Sequence, residues 1–150
     1  MNTLSIATSG LSAASLRLDV TASNIANVLT TGPLPATSGS GAPGGGAGSS
    51  SNSSNLPAVY IPLQVNQVDQ SSGGTSGGTV ATVSAVSPGF VAQSDPGAWF
   101  ANQDGMVAAP NEDLASEFVQ LLTAKYAFAA NAKVVQTYAN TTRSLLDITA

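Results

Sequence analysis

The residues able to do chemistry in this chain are few and poorly placed for it. Cysteine and histidine are absent, which removes disulfides, thiolate nucleophiles, the common zinc ligands and the usual general base. Glu112 and Asp113 are neighbours at what reads as a helix start, and adjacent helical residues point about 100° apart. They cannot flank one substrate as the paired carboxylates of a hydrolase do. Their expected role is to place negative charge at the positive end of a helix dipole, with Asn111 before them as the N-cap. Asp95 and Asp104 fall in turn sequences, Asp95-Pro96-Gly97 and Gln103-Asp104-Gly105, without the spacing of an EF-hand. The glycine-rich run from 32 to 56 has no GxxxxGK[ST] pattern and no lysine near it, so it is no phosphate cradle. No enzyme, metal centre, cofactor or small-molecule substrate is expected.

Composition points the same way. Charged residues are only 8% of the chain, against about a quarter in an average globular protein, so much of the surface is expected to be covered by other subunits or to lie in polar tracts. Net charge is −4 and the only cations are Arg17, Lys125, Lys133 and Arg143, which leaves no basic patch for nucleic acid. The 43% hydrophobic content is inflated by alanine, and aromatics are 5%, so any core is slight. The first twenty residues lack a basic n-region, and Arg17 and Asp19 interrupt their apolar run. A cleavable secretory signal is not expected there, nor is a membrane-spanning helix anywhere.

The elements that must do the work are therefore helical. From Pro110 to Ala150 the sequence has no further Pro or Gly, and a helix of about 35 residues would be roughly 50 Å long. One heptad row is Leu114, Leu121, Phe128, Val135 and Thr142; a second is Phe118, Lys125, Ala132, Ala139 and Leu146. Such a stripe is the seam of a coiled coil, and it needs a partner helix. Residues 2 to 29 supply a candidate. Leu4, Leu11, Leu18 and Ile25 repeat every seven residues, and Ala7, Ala14, Thr21 and Val28 form a small-residue row that would let a partner approach closely. Gly10 weakens this helix by about 1 kcal/mol relative to Ala, and Thr30-Thr31-Gly32-Pro33 stops it.

Between the helices lie weaker signals. Residues 32 to 56 are an uncharged Gly/Ser tract, expected to be flexible. Ala58 to Val68 reads as an edge strand because of Pro62, Thr79 to Val86 as a β-branched strand, and Ser71 to Gly78 as a loop or hairpin tip. Met106-Val107-Ala108 reads as one more short strand. The expected fold is mainly α with a small β-rich insertion: residues 1–30 and 110–150 form paired terminal helices, 31–57 a Gly/Ser-rich segment, and 58–109 a β-rich middle.

Two motifs carry a family resemblance. Ser23-Asn24-Ile25-Ala26-Asn27, after a Leu-rich amphipathic start, resembles the N-terminal signature of bacterial flagellar rod, hook and hook-associated (axial) proteins. The run from Ala127 to Thr137, AFAANAKVVQT, resembles their C-terminal signature, commonly R-A-Y-E-A-N-x-K-V-x-x-T. Tyr126 stands where the family has Arg and Phe128 where it has Tyr; Lys125 is the nearest charge. Asp95-Pro96-Gly97, Asp104-Gly105-Met106-Val107 and Pro110-Asn111-Glu112-Asp113-Leu114 are similar in order and type to the short proximal rod proteins within that family. The resemblance implies a structural subunit that packs its terminal helices and assembles with copies of itself and other rod proteins into a torque-transmitting tube. It also implies export through the flagellar type III apparatus without a cleaved signal. The interface it implies runs through Leu4, Leu11, Leu18, Asn24, Ile25 and Asn27 at one end, and Leu114, Phe118, Leu121, Phe128, Asn131, Val135 and Leu146 at the other. Asn24 and Asn27 could equally be solvated polar positions, whereas Asn27 and Asn131 are expected to bond backbone or a neighbouring subunit.

Overall fold

A computed structural model describes residues 3–35, 56–70 and 77–149. The expectations for the Gly/Ser tract between 36 and 55 and for the hairpin tip between 71 and 76 lie outside the described residues. The element order is helix α1 (Thr3–Asn27), strands β1 (Leu63–Asp69), β2 (Thr79–Ala85), β3 (Phe90–Ser94) and β4 (Met106–Pro110), and helix α2 (Leu114–Thr149). The strands form two antiparallel pairs, β1 with β2 and β3 with β4. Leu63 lies opposite Ala85 and Asp69 opposite Thr79 in the first pair, and Phe90 lies opposite Pro110 in the second.

The two helices run antiparallel. Gly10 lies against the Asn131 side chain, Asn24 reaches Glu112, and Leu4 shares a groove with Val135, Tyr138 and Leu146 near the far end of α2. α1 is flanked by α2 and also by the β1–β2 hairpin. Ser9 helps to fix that second contact: its hydroxyl accepts from the Thr79 amide at 3.2 Å and donates to the Ile6 carbonyl at 2.8 Å. Thr30 closes α1, its amide bonding the Asn27 carbonyl at 3.0 Å just before Gly32 and Pro33. At the other helix, Asp113 is the N-cap, accepting from the Ala115 amide at 3.0 Å. Asn111, expected there, instead donates to the Pro88 carbonyl at 2.9 Å and tethers the turn before β3. Asp113 takes the position because α2 starts at Leu114, which puts its side chain next to the free amide of Ala115 two residues on.

The buried apolar core consists of Ala7, Ala13, Ala14 and Val20 on α1, Val107, Ala108 and Ala109 on β4, and Ala124 on α2. Six of these eight are alanines, and a buried methyl is worth only about 0.8 kcal/mol. Close approach and satisfied polar groups must therefore supply much of the specificity. β4 is the most deeply placed strand. Ala108 exchanges backbone hydrogen bonds with Gly32, at 3.0 and 2.8 Å, opposite its pairing with β3. A Cβ on Gly32 would stand 2.7 Å from the Val59 amide nitrogen and 2.8 Å from the Pro57 carbonyl oxygen. Both are backbone atoms that cannot swing away. Gly32→Ala should therefore lower stability by about 1–3 kcal/mol, read as a shift in the urea midpoint followed by far-UV circular dichroism; an unchanged midpoint would mean this crossing is loose.

Two strand readings differ from expectation. β1 begins at Leu63, after Pro62, which is fully buried; residues 56–62 form an irregular approach because proline cannot donate to a ladder. β3 has no counterpart among the expected strands. Its sequence, Phe90-Val91-Ala92-Gln93-Ser94, has little alternation, and it is a strand because β4 pairs with it.

Candidate assembly interface

Asn24 is the best-connected side chain in the fold. It is 1% exposed, and its amide makes four hydrogen bonds. The nitrogen donates to the Leu63 carbonyl at 2.8 Å and to Glu112 Oε1 at 2.9 Å. The oxygen accepts from the Tyr60 hydroxyl at 3.0 Å and from the Leu63 amide at 3.1 Å. This saturates both donors and both acceptors of the side chain. It ties the end of α1 to the start of β1 and to the approach to α2, which lie 39 and 88 residues away in sequence. Tyr60 is held in turn by the Ser23 hydroxyl at 3.1 Å, and the Tyr60 amide donates to Thr30 Oγ1 at 3.2 Å. Asn24 is thus not a solvated position. Asn27 and Asn131 each donate to the carbonyl four residues earlier, Ser23 at 2.8 Å and Ala127 at 2.9 Å.

The helix seam is offset from the expected rows. On α1 the most buried positions are Asn24 and the small residues Ala7, Ala13, Ala14 and Thr21, while Leu4, Leu11, Leu18 and Ile25 are half-buried at the flank. On α2 the residues facing inward are Glu117 and Ala124, with Leu121, Ala127, Asn131, Ala132 and Val135 half-buried. The row 117, 124, 131 is therefore more deeply buried than the expected row of Phe118, Lys125, Ala132, Ala139 and Leu146, one residue later, of which Ala132 is half-buried and the others exposed. The cause is size. The α1 face is built of alanine and approaches closely enough that a Cβ on Gly10 would meet Asn131 side-chain atoms at 2.7–2.9 Å. Ala124 fits such a seam; Lys125 and Phe118 do not.

The offset leaves apolar surface uncovered in the single chain. Leu114, Phe118, Phe128 and Leu146 are exposed, with Phe118 at 49% and Leu146 at 64%. Val119, Leu122, Tyr126, Val134, Leu145 and Ile148 on the same helix are exposed as well. Single apolar residues on a surface are ordinary, but a long run along one helix marks a contact surface. No described helix is long and apolar enough to cross a membrane, and no cluster of three metal-ligating side chains forms among the described residues. Sequence reasoning passed over Tyr60, Glu117 and Ala124. The spacing of Glu117, Ala124 and Asn131 at seven residues was the available signal, and Lys125 in the competing row was the available warning.

Comparison with protein families matches both helical ends. Residues 4–33 match the model described as flagella basal body rod protein. Residues 103–148 match the one described as flagellar basal body rod FlgEFG protein C-terminal. No individual curated protein matches the chain. The two matched segments coincide with α1 and its stop, and with β4 and α2, the parts that Asn24 and the alanine seam hold together. The chain belongs to the flagellar basal body rod family, and its place is that of a structural subunit of the basal body.

Proposed function

We propose that this chain is a proximal rod subunit of the FlgC type, assembling through both helices into the axial tube that carries torque from motor to hook. The observation that carries this reading is the apolar face of α2 left exposed when α1 takes the alanine seam: Phe118 is 49% and Phe128 41% exposed in the single chain, and a neighbouring subunit in a helical array would bury the remainder. The proximal assignment rests on the order of the Asp95-Pro96-Gly97 turn, the Gly105 turn leading into the Met106-Val107 strand and the Pro110-Asn111 helix approach, together with four short strands among the described residues of the middle region. Neighbours would be further copies and other rod proteins. Delivery would use the flagellar type III export apparatus with an uncleaved N-terminus. In this reading the helix pair extends to a coiled-coil seam between subunits, and Leu4, Leu11, Leu18, Ile25, Leu114, Leu121 and Val135 contribute to it.

A second reading, another rod paralogue or a hook-related subunit, is favoured by the description of the C-terminal match, which names FlgEFG. Electron microscopy of basal bodies from a strain lacking the protein, beside the complemented strain, separates the two. Membrane rings without a completed rod, restored by complementation, support the proximal assignment. Intact rods without a hook support the second reading, and intact rotating flagella would remove both.

Leu18→Asp and Leu121→Asp each place a charge on a half-buried flank of the helix pair. Each should abolish rod incorporation and reduce swarming to the level of the deletion strain, with expression unchanged by immunoblot. Normal swarming by either variant would contradict assembly through these helices.

A further inference from the structure

At the start of α2 a buried carboxyl group and a half-buried one lie close together, with no cation among the described residues acting on Glu112. Glu117 is 3% exposed, its Oε2 atom has no donor, and its Oε1 has only a long contact to Gln120 Nε2 at 3.4 Å. Glu112, half-buried on the approach to the helix, lies close enough for the Glu117 charge to act on it, and accepts from Asn24 Nδ2 at 2.9 Å. From α1 the group facing Glu112 is the neutral Asn24. From the 56–62 segment it is the Tyr60 phenol, one bond further on through Asn24. From α2 and its cap come Glu117 and Asp113, both acidic, and these two are the charges that act on Glu112. A carboxylate only accepts hydrogen bonds, so two ionised carboxylates in contact leave each other unsatisfied, whereas one proton between them makes a donor and an acceptor.

We propose that Glu112, Glu117 and Asn24 form a single-proton latch that holds the start of α2 against α1, closed when the carboxyl pair shares one proton and loosened when the pair loses it to solvent. Burial first, and then the Glu117 charge, push Glu112 from its ordinary 4.5 up to about 7. The folded chain therefore binds this proton more tightly than the unfolded chain does. The stability the latch contributes is complete below the unfolded value of 4.5 and is lost as pH rises through about 7. Because Asn24 spends one of its four bonds on Glu112, a loosened latch also loosens the grip on Tyr60 and Leu63. The latch is a property of the single chain and does not rest on the rod assignment, so either can fail without the other.

The chain offers a direct test, because Glu112 and Glu117 are its only two glutamates. Selective carbon-13 labelling of glutamate makes the side-chain carboxyl signals of the full-length protein report on this pair alone. The expected result is one glutamate titrating near neutrality and a roughly thirtyfold larger unfolding constant in urea at about pH 8.5 than at about pH 5.5. Glu117→Gln should return the remaining glutamate toward the ordinary range and remove most of that pH dependence. If Glu117→Gln does not fold, Glu112→Gln serves the same purpose by deleting the neutral titration. Two glutamates both titrating below about 5 would overturn the latch. So would a pH dependence of unfolding that survives either substitution.

Discussion

Replacing Asn24 with alanine is expected to cost about 4 kcal/mol of stability, the largest loss available from a single polar side chain in this fold. The estimate comes from its partners. Tyr60 keeps the Ser23 hydroxyl, but the Leu63 amide and carbonyl lose the side chain that satisfies both of them, and each buried backbone group left unmet costs about 1–3 kcal/mol. With a core of mostly alanines, the chain has little hydrophobic stabilisation to absorb that loss, since domains are stable by only about 5–15 kcal/mol in total. Asn24→Asp is the sharper probe because it preserves shape. It keeps the acceptor for Leu63 and Tyr60 but turns a second acceptor toward the Leu63 carbonyl and Glu112, and should be at least as harmful above neutral pH. Asn27→Ala is the control: that side chain bonds only the Ser23 carbonyl of its own helix, and its loss should cost under about 1 kcal/mol. Urea unfolding of the three variants followed by circular dichroism settles the order. An Asn24→Ala protein within about 1 kcal/mol of the parent would mean that water replaces the network.

Ala124→Leu is expected to be the most damaging enlargement. Ala124 is 0% exposed and lies on the row of α2 that faces the alanine face of α1. Three added carbons must either force the helices apart or twist α2 until the 118/125 row faces inward, and overpacking of this kind costs about 1–3 kcal/mol. Separation would also strain the Asn24–Glu112 bond, which ties α1 to the segment leading into α2. The same change at Phe118, Phe118→Leu, touches an exposed side chain and should leave monomer stability within about 0.5 kcal/mol. The contrast between the two, measured as urea midpoints, tests the offset seam itself. Equal effects at 118 and 124 would mean that the helices pack on the row expected from hydrophobicity.

The β1–β2 hairpin and the β4 region are positioned by the same logic of small residues and satisfied backbone. Gly78 has a positive φ of 84° and comes into contact with Ser9 on α1. Gly105, at φ 70°, makes the turn that lets β4 return along β3, where Asn102 Oδ1 accepts from the Met106 amide at 2.8 Å. These are places where a left-handed residue without a side chain is required.

Much of this was legible in the residues alone. The two helices follow from seven-residue spacing and from stop signals, Thr30-Thr31-Gly32-Pro33 after the first and Pro110 before the second, because local propensity and stop signals act within a few residues. The family follows from Ser23-Asn24-Ile25-Ala26-Asn27 and from the Asn131-centred run, because short motifs survive without any knowledge of their surroundings. The turn glycines before β4 were equally plain. What the tertiary structure alone decided was which face of each helix is inside. An apolar stripe ranks residues by hydrophobicity and so selects Phe118 and Leu146, but two helices in close contact select by size, and α1 presents alanine. Hence the row of Glu117, Ala124 and Asn131 faces inward and the larger side chains are left outside. The role of Asn24 was likewise invisible in its own helix, since its partners Tyr60, Leu63 and Glu112 arrive from 36 to 88 residues away, and only the folded chain brings them to one amide.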